Sequence, residues 1–434
     1  MKIGLISPRG SFMGANEYFR QYWYENPNST SYRSHFEGLG SALLVIAALT
    51  PEKHEVELVN ENLDAIDFSC EYDLVGISCM TQQATRAYAI ADEFRSRNRK
   101  VVLGGIHPTL MPEEAKAHAD SVVVGEVEYL WGKVLHDCEH HQLQDFYRAE
   151  KLVDMQDSPM PRYDLLDPKK YATLWIQTSR GCSHDCEFCA ASKVYGRKYR
   201  DKSNAQILRE IEYGKSLFGN AHYYFSDDNF FVNKNERRQL LRQLASLDIR
   251  WIALTDISIA EDDDLLSLAY QSGCFSLLIG FESLRGENLR HIDDRQWKHR
   301  YLSKYSEYIQ KIQAHGIGVH GAFIVGFDED DASTLDTIAD FAIENYLYAI
   351  GVTVLTPLPG TRLRERLEKE GRIAERSWEN YTCYDVNFVP NKMTKDELEK
   401  GVVQIYEKVT ARDVFLRNME YFKSIHHKLQ GRSG

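Results

Sequence analysis

Nowhere does the chain carry eighteen uninterrupted apolar residues, which leaves no candidate for a membrane-spanning helix. The opening MKIGLISPRG holds an apolar run too short for the core of a secretion signal, so a cytoplasmic protein is expected. Basic charge is in short supply: 52 Lys and Arg stand against 64 Asp and Glu, a formal net charge of -12. That balance argues against a long nucleic-acid track, which needs concentrated cations to release counterions, and leaves room only for a local basic pocket. Internal repeats and low-complexity tracts are missing as well. Cysteine is sparse, eight residues in 434, and without a secretion signal it does not describe a disulfide scaffold. Metal binding and catalysis remain. Cys70, Cys79, Cys138, Cys274 and Cys383 are scattered singly and read as small buried hydrophobes.

What is present is a large foldable chain. At 434 residues it exceeds what one core organises, and 43% hydrophobic with 12% aromatic content argues against extensive disorder. Residues 1–145 alternate short apolar strands (2–7, 54–59, 74–79, 101–104, 121–124) with helices near 39–49, 82–98, 112–119 and 126–138. This predicts an α/β fold whose first domain is a flavodoxin-like, doubly wound parallel sheet. Residues 146–170 lose the periodicity, carry Pro159, Pro161 and Pro168, and read as a linker. Over 171–360 six further strands (174–178, 222–226, 251–255, 276–281, 319–325, 352–356) alternate with longer helices, predicting a partial or complete barrel with its site at the carboxyl ends of the strands. The remainder, 361–434, is expected to be helical. The acidic runs Glu261–Asp264 and Asp328–Asp331 each open a predicted helix, where they complement its dipole better than they bind metal.

The exception among the cysteines is SRGCSHDCEFC (179–189), which sets Cys182, Cys186 and Cys189 on one polar loop after the first barrel strand. Structural zinc wants four ligands, and His184 is the sole local fourth candidate. A cubane of four irons held by three thiolates keeps one iron open.

This spacing, with Phe188 before the third cysteine, resembles the signature of the radical S-adenosylmethionine superfamily. The resemblance implies a (β/α)6 partial barrel and a 4Fe-4S cluster on Cys182, Cys186 and Cys189. It also implies S-adenosylmethionine bound at the open iron and cleaved reductively to a 5'-deoxyadenosyl radical. Further contacts would come from Phe188, from Ser226, Asp227 and Asp228 in FSDDNF toward the methionyl amine, and from Glu282 and Ser283 in GFES toward the ribose. Ile324, Val325 and Gly326 in GAFIVGFDE would lie along the adenine. Each has a plainer alternative: an aspartate helix cap for Asp227 or Asp228, and a solvated loop carboxylate for Glu282. Arg197 and Arg200 could pair with a carboxylate, or be solvated. TPLPGTRL (356–363) is expected at the barrel mouth, and Tyr195, His320, Tyr381 and Tyr384 are candidate pocket walls.

In the first domain, ligands are expected at the carboxyl edges of the strands near the switch point. Ser78, Met80 and Thr81 lie there, with Gly104, Gly105 and His107, and with Gly125 and Glu126. Their order resembles the cobalamin-binding domain that precedes the barrel in a large subgroup of radical enzymes. The loop 7–14 lacks the D-x-H-x-x-G motif, as the subgroup commonly does, so cobalamin without that histidine is implied. His107 reads as a loop or contact residue before it reads as a cobalt ligand. The resemblance implies methylation of an unactivated carbon, with electrons from a flavodoxin or ferredoxin and a small-molecule, lipid or tetrapyrrole-like substrate. Cyclisation, oxidation or rearrangement without methyl transfer is the alternative, and a non-catalytic cobalamin or metal sensor the alternative of another class. Methylthiolation of transfer RNA is set aside, because the other cysteines lack compact spacing and the chain is acidic.

Overall fold

The structure is a computed structural model, described here for residues 1–10, 16–25, 39–219, 221–374 and 377–431. Residues 11–14 of the loop expected to lack a cobalt histidine lie outside the described residues. The first domain is a six-stranded parallel sheet of β1 (Lys2–Ser7), β2 (Glu55–Asn60), β3 (Leu74–Ser78), β4 (Lys100–Gly104), β5 (Ser121–Val124) and β6 (Phe146–Arg148), in the order β2-β1-β3-β4-β5-β6. The order reverses between β1 and β3, which places the switch-point crevice there. β3 is buried in all but its last residue and β4 in its three central residues, the pattern of strands covered on both faces. β6 lies in the stretch read as linker; with three residues it is too short to show a period of its own.

That stretch is packed rather than free. Val153, Met155 and Tyr163 are buried, and the Tyr163 hydroxyl donates to the Trp175 carbonyl at 3.0 Å and to Glu210 at 2.8 Å. Glu210 is in turn paired with Lys202 at 2.6 Å, both side chains almost fully buried. One apolar core therefore runs from Ile3 and Trp131 in the first sheet through Tyr163 and Tyr171 to Phe225 and Trp251 in the second. A smaller core, with Val75, Ile90 and Phe94, fills the outer face of the first sheet.

The second sheet contains β7 (Thr173–Ile176), β10 (His222–Phe225), β11 (Arg250–Thr255), β12 (Cys274–Glu282), β13 (Gly318–Val325) and β14 (Ala349–Val354), all parallel, in the order β14-β13-β12-β11-β10-β7. Its two edge strands do not pair, so the expected barrel is partial. Between β7 and β10 a two-stranded antiparallel ribbon, β8 (Ser179–Arg180) with β9 (Arg200–Asp201), closes the base of the loop 181–199. Helix starts follow local rules: Ser203 with Gln206 and Thr394 with Glu397 form capping boxes, and Pro112 opens its helix ahead of two glutamates. Asp262 and Asp331, from the two acidic runs, each accept a backbone N–H as helix caps. The C-terminal region adds helices Arg362–Lys369, Lys395–Val409 and Arg412–Gln430, the second packed against helix Ala332–Glu344.

Gly273, at φ 95°, turns the chain into β12 so closely that a Cβ would overlap the Ile249 carbonyl oxygen. Gly273→Ala is expected to destabilise the protein by roughly 1–3 kcal/mol or more, since L-residues rarely adopt this conformation and the obstacle is backbone. Urea unfolding of the two proteins measures it.

Candidate active site

The three cysteines sit on a loop anchored on every side by the protein itself. At its base, Asp227, directly after β10, is 1% exposed. It accepts from the Thr178 N–H at 3.0 Å, the Thr178 hydroxyl at 2.9 Å, the Ser179 hydroxyl at 2.6 Å and the Ser179 N–H. Arg237, fully buried, donates to the same Thr178 hydroxyl at 2.9 Å. Gly181, at φ 89°, lies against the Lys198 carbonyl where no side chain fits. Further along, His184 Nε2 stands 3.4 Å from Asp256, whose carboxylate also accepts from Asn229 at 2.8 Å. Burial opposes ionisation of Asp256, and hydrogen bonds from His184, Ser258 and Asn229 override it, holding its pKa well below the usual carboxylate range. Glu187 donates its N–H to the Ile292 carbonyl at 2.8 Å and pairs with Arg366 at 3.2 Å; Arg362 donates to the Asp185 carbonyl. TPLPGTRL thus leads into a helix that braces the loop.

Within this frame the thiols lie close enough to influence one another. Burial pushes Cys182 up to about 11 and raises Cys186 and Cys189; Cys182 and Cys186 feel Cys189, and Cys186 feels Cys182. Asp228 lies beside Cys182 and Cys189, with its own pKa pushed up to about 6 by burial and by neighbouring Asp227. A β-bulge near Gly280 sets Glu282, the last residue of β12, in the left-handed region at φ 63°. There it pairs with Lys298 at 2.8 Å, both side chains largely buried. Burial disfavours the Lys298 ammonium, but Glu282 and then Cys186 more than offset it, so its pKa is raised.

This donor set fits an iron–sulfur cubane. His184, the sole local candidate for a fourth zinc ligand, is engaged by Asp256. Among the described residues no three His, Cys, Asp or Glu side chains converge on a single ion, whereas thiolates of a cubane stand apart at its corners. The loop is held by hydrogen bonds and ion pairs of the protein itself, and its three thiols are partly buried.

Several of the expected contact residues are engaged within the protein itself. Asp227 is occupied by Thr178 and Ser179, and Asn233 rather than Asp227 caps the following helix. Ser226 lies only 3.4 Å from the Ile176 carbonyl, at the strand end. Ser283 is buried, its hydroxyl accepting from the Arg285 N–H and from Asn288, so it does not reach a ribose. Val325 is fully buried, and Gly326 makes room for Leu398 and Phe388 of the C-terminal region rather than for a flat ring. Ile324 and Phe188 remain half-exposed, Phe188 meeting Phe327 edge-on at 6.4 Å. Asp228 lies beside Cys182 and Cys189, and Glu282 is paired with Lys298. Tyr381 is buried, and Tyr384 stacks on Phe19 at 4.3 Å.

The N-terminal edge shows a similar sorting. His107 lies in the short helix Ile106–Leu110, not a turn, and is fully buried; its ring nitrogens face the Tyr88 hydroxyl at 3.1 Å and the Thr81 hydroxyl at 3.4 Å, with Trp378 edge-on at 5.0 Å. Neither His107 nor the buried Thr81 is offered to a ligand. Gly105, at φ 97°, backs onto Cys79 and Ser78, so its glycine is required by the chain's own backbone. A Cβ on Gly104 would meet Val123 at an ordinary 3.7 Å; one on Gly125, at φ 94°, would meet Ala149 at 2.9 Å. Met80 is 49% exposed and projects from the edge.

Glu126 faces the barrel. Its carboxylate accepts from Arg180 at 2.8 Å, from Arg200 at 2.9 Å and from the Val153 N–H at 2.8 Å, while Glu128 pairs with Arg180 at 2.7 Å. All four charged side chains are at most 8% exposed. Arg200 is therefore not free for a ligand, and Arg197 lies at the surface 3.4 Å from Asp185. Lys298, Asp256, Arg180 and the bracing arginines 362 and 366 escaped sequence reasoning. The acidic GEVE and basic YGRKYR segments hinted at the ion network, without saying that they meet.

A parallel nucleotide-type sheet joined to a partial barrel with three thiols at its mouth defines the class, a two-domain radical S-adenosylmethionine fold. The B12 binding domain profile matches residues 36–134, the Radical SAM superfamily profile residues 176–342, and a domain of unknown function (DUF4070) residues 361–433. Bacteriochlorophyllide d C-8(2)-methyltransferase of Chlorobaculum tepidum is 30% identical over 399 residues, covering 87% of each chain. Hopanoid C-2 methylase of Rhodopseudomonas palustris is 29% identical over 346 residues, 76% of this chain and 64% of that one. In structure the chain resembles TsrM of Kitasatospora setae, a radical S-adenosylmethionine methyltransferase solved with cobalamin and a 4Fe-4S cluster bound, with a TM-score of 0.69, 15% identity, and coverage of 95% and 89%. The chain belongs to the radical S-adenosylmethionine superfamily, in the subgroup with a B12-binding domain ahead of the barrel. It is an enzyme of the 4Fe-4S cluster, S-adenosylmethionine and cobalamin. Among the described residues no helix is long and apolar enough to cross a membrane.

Asp330 organises the turn after β13, accepting from the Gly326 and Phe327 N–H groups at 2.9 and 3.0 Å and from Asn288 at 2.8 Å. Burial nonetheless pushes its pKa up to about 6 from 3.8. The native state then binds its proton more tightly than the unfolded chain. Asp330 accordingly favours folding most at low pH, and that contribution is lost as pH rises from about 4 to 6, by roughly 2–3 kcal/mol. Asp330→Asn should remove this slope, read as the difference between wild-type and variant urea midpoints at pH 4.5 and 7.

Proposed function

We propose that this enzyme transfers a methyl group to an unactivated carbon of a polycyclic, tetrapyrrole-like substrate, using the loop cysteines Cys182, Cys186 and Cys189 as cluster ligands. One observation carries the reading: the thiol loop is held between a B12-type domain and the barrel mouth, in a chain that spans 87% of a bacteriochlorophyllide methyltransferase. When bound, the cluster supplies the electron that opens the carbon–sulfur bond of S-adenosylmethionine, and cobalamin the methyl carrier.

The chain's own residues supply binding and orientation. The three thiols, once deprotonated, would hold the cluster and would leave an open iron for the methionyl group of S-adenosylmethionine. Asp228 accepts from the methionyl amine, Lys298 balances the carboxylate, Glu282 reaches the ribose hydroxyls, and Ile324 and Phe188 supply apolar contact. Tyr195, with the Arg180 guanidinium 5.8 Å from its ring centre, lies where the loop meets the N-terminal domain and forms part of the substrate wall. Met80 offers apolar surface on the N-terminal edge. A flavodoxin- or ferredoxin-type donor delivers the electron.

The test is anaerobic reconstitution with iron, sulfide and hydroxocobalamin, followed by mass analysis of turnover with a reductant and a bacteriochlorophyllide. Formation of both 5'-deoxyadenosine and S-adenosylhomocysteine is expected. Deoxyadenosine alone would turn the reading toward cyclisation, since anaerobic magnesium-protoporphyrin IX monomethyl ester cyclase of Rubrivivax gelatinosus is also similar, at 22% over 379 residues. Cys186→Ala should reduce S-adenosylmethionine cleavage to background; persistence of cleavage would sink the ligand assignment.

A further inference from the structure

The ion network between the halves has a geometry that stability alone does not require. Loop 181–199 is entered through Arg180 on β8 and left through Arg200 on β9, and these two residues are direct partners in the ribbon. Both guanidinium groups are gripped by one carboxylate, that of Glu126, which sits two residues beyond β5 on the edge where the N-terminal domain is expected to take its ligand. Arg200 also donates to the Val153 and Tyr195 carbonyls, tying in the interdomain stretch and the loop itself. Glu128 gives Arg180 a second carboxylate. Beside this network, helix Ile106–Leu110 of the N-terminal domain packs against helix Ala191–Val194, which follows Cys189 directly.

A buried carboxylate shared by two arginines tolerates little displacement, because any shift strands a charge away from water. We infer that Glu126 is a positioning residue: through Arg180 and Arg200 it sets the arrangement of Cys182, Cys186 and Cys189 from the N-terminal domain, so that ligand binding on that domain and the geometry of the thiol loop are coupled. The coupling, though not the positioning, rests on the reading of that domain as cobalamin-binding. Glu126→Gln keeps the volume but turns an amide N–H₂ toward two cations.

The full-length, cluster-free protein is digested with trypsin, which can cut the loop at the exposed Lys193, Arg197 and Lys198. Glu126→Gln should accelerate cuts at these three sites about tenfold, while cuts at Arg95 and Arg97 keep the wild-type rate. Glu113→Gln, at the exposed pair with Arg148, should change neither. In the reconstituted, reduced protein, Glu126→Gln should retain the wild-type iron content and broaden or shift the electron paramagnetic resonance spectrum of the cluster. Hydroxocobalamin should slow loop cutting in the wild type and not in Glu126→Gln. If Glu126→Gln fails to fold, Arg200→Lys takes its place, since a lysine cannot bridge Glu126 and the two carbonyls together. Loop cutting and resonance spectrum unchanged in the folded variant would overturn the positioning role. Equal protection of both proteins by hydroxocobalamin would overturn the coupling. Failure of the wild type to retain hydroxocobalamin on gel filtration would overturn the cobalamin reading and the coupling with it, while cluster-free cutting still decides the role of Glu126.

Discussion

Everything at the barrel mouth depends on how Asp227 is held. A carboxylate buried to 1% exposure is costly unless its oxygens are filled, and here Thr178 and Ser179 fill them with two backbone N–H groups and two hydroxyls. Burial still raises its pKa, and Arg237 is the nearest cation working against that rise. The arrangement ties the end of β10 to the first step beyond β7, and that step is the root of the thiol loop. Since β7 and β10 are already registered by parallel pairing from Thr173 to Ile176, the root inherits the rigidity of the sheet. The thiols are thus positioned by backbone geometry before any metal arrives, which lowers the conformational cost of binding one.

The same logic extends outward. Charged groups fix the loop wherever apolar packing cannot: Asp256 at His184, Arg362 and Arg366 at Asp185 and Glu187, Glu126 at both of its ends and Glu128 at the first. These partners come from the third barrel strand, the C-terminal region and the N-terminal domain. Three parts of the chain remote in sequence therefore converge on nineteen residues, and the continuous core beneath them keeps those parts from moving independently. A linker of the flexible kind would be incompatible with this, which accounts for the burial of Val153, Met155 and Tyr163.

Much of this organisation was legible in the chain. Strands at 101–104 and 121–124 announced themselves as short apolar runs between turn residues, and β12 and β13 as the runs 276–281 and 319–325, which the structure extends at their ends. The cysteine spacing located the recess. What could not be read was pairing. β6, β8 and β9 are two or three residues long and exist only because a neighbour supplies the other half. Asp227 and Asp228 are adjacent and identical in chemistry, yet one turns inward to Thr178 and the other lies beside Cys182 and Cys189, a choice made by the direction of successive side chains at a strand end. Glu126 and Arg200 looked like ligand contacts because each was considered alone. Lys298 carried no local signal, standing in a polar stretch near the start of a short helix.

The charges beside the three thiols are distributed asymmetrically. After burial, the largest influence from another side chain on Cys186 is the Lys298 ammonium, whereas on Cys182 and Cys189 it is the Asp228 carboxylate. Glu282 in turn pairs with Lys298 at 2.8 Å. The bulge that forces Glu282 to φ 63° then has a cause: an unbroken strand would turn this side chain to the other face and leave a buried ammonium without its counter-ion.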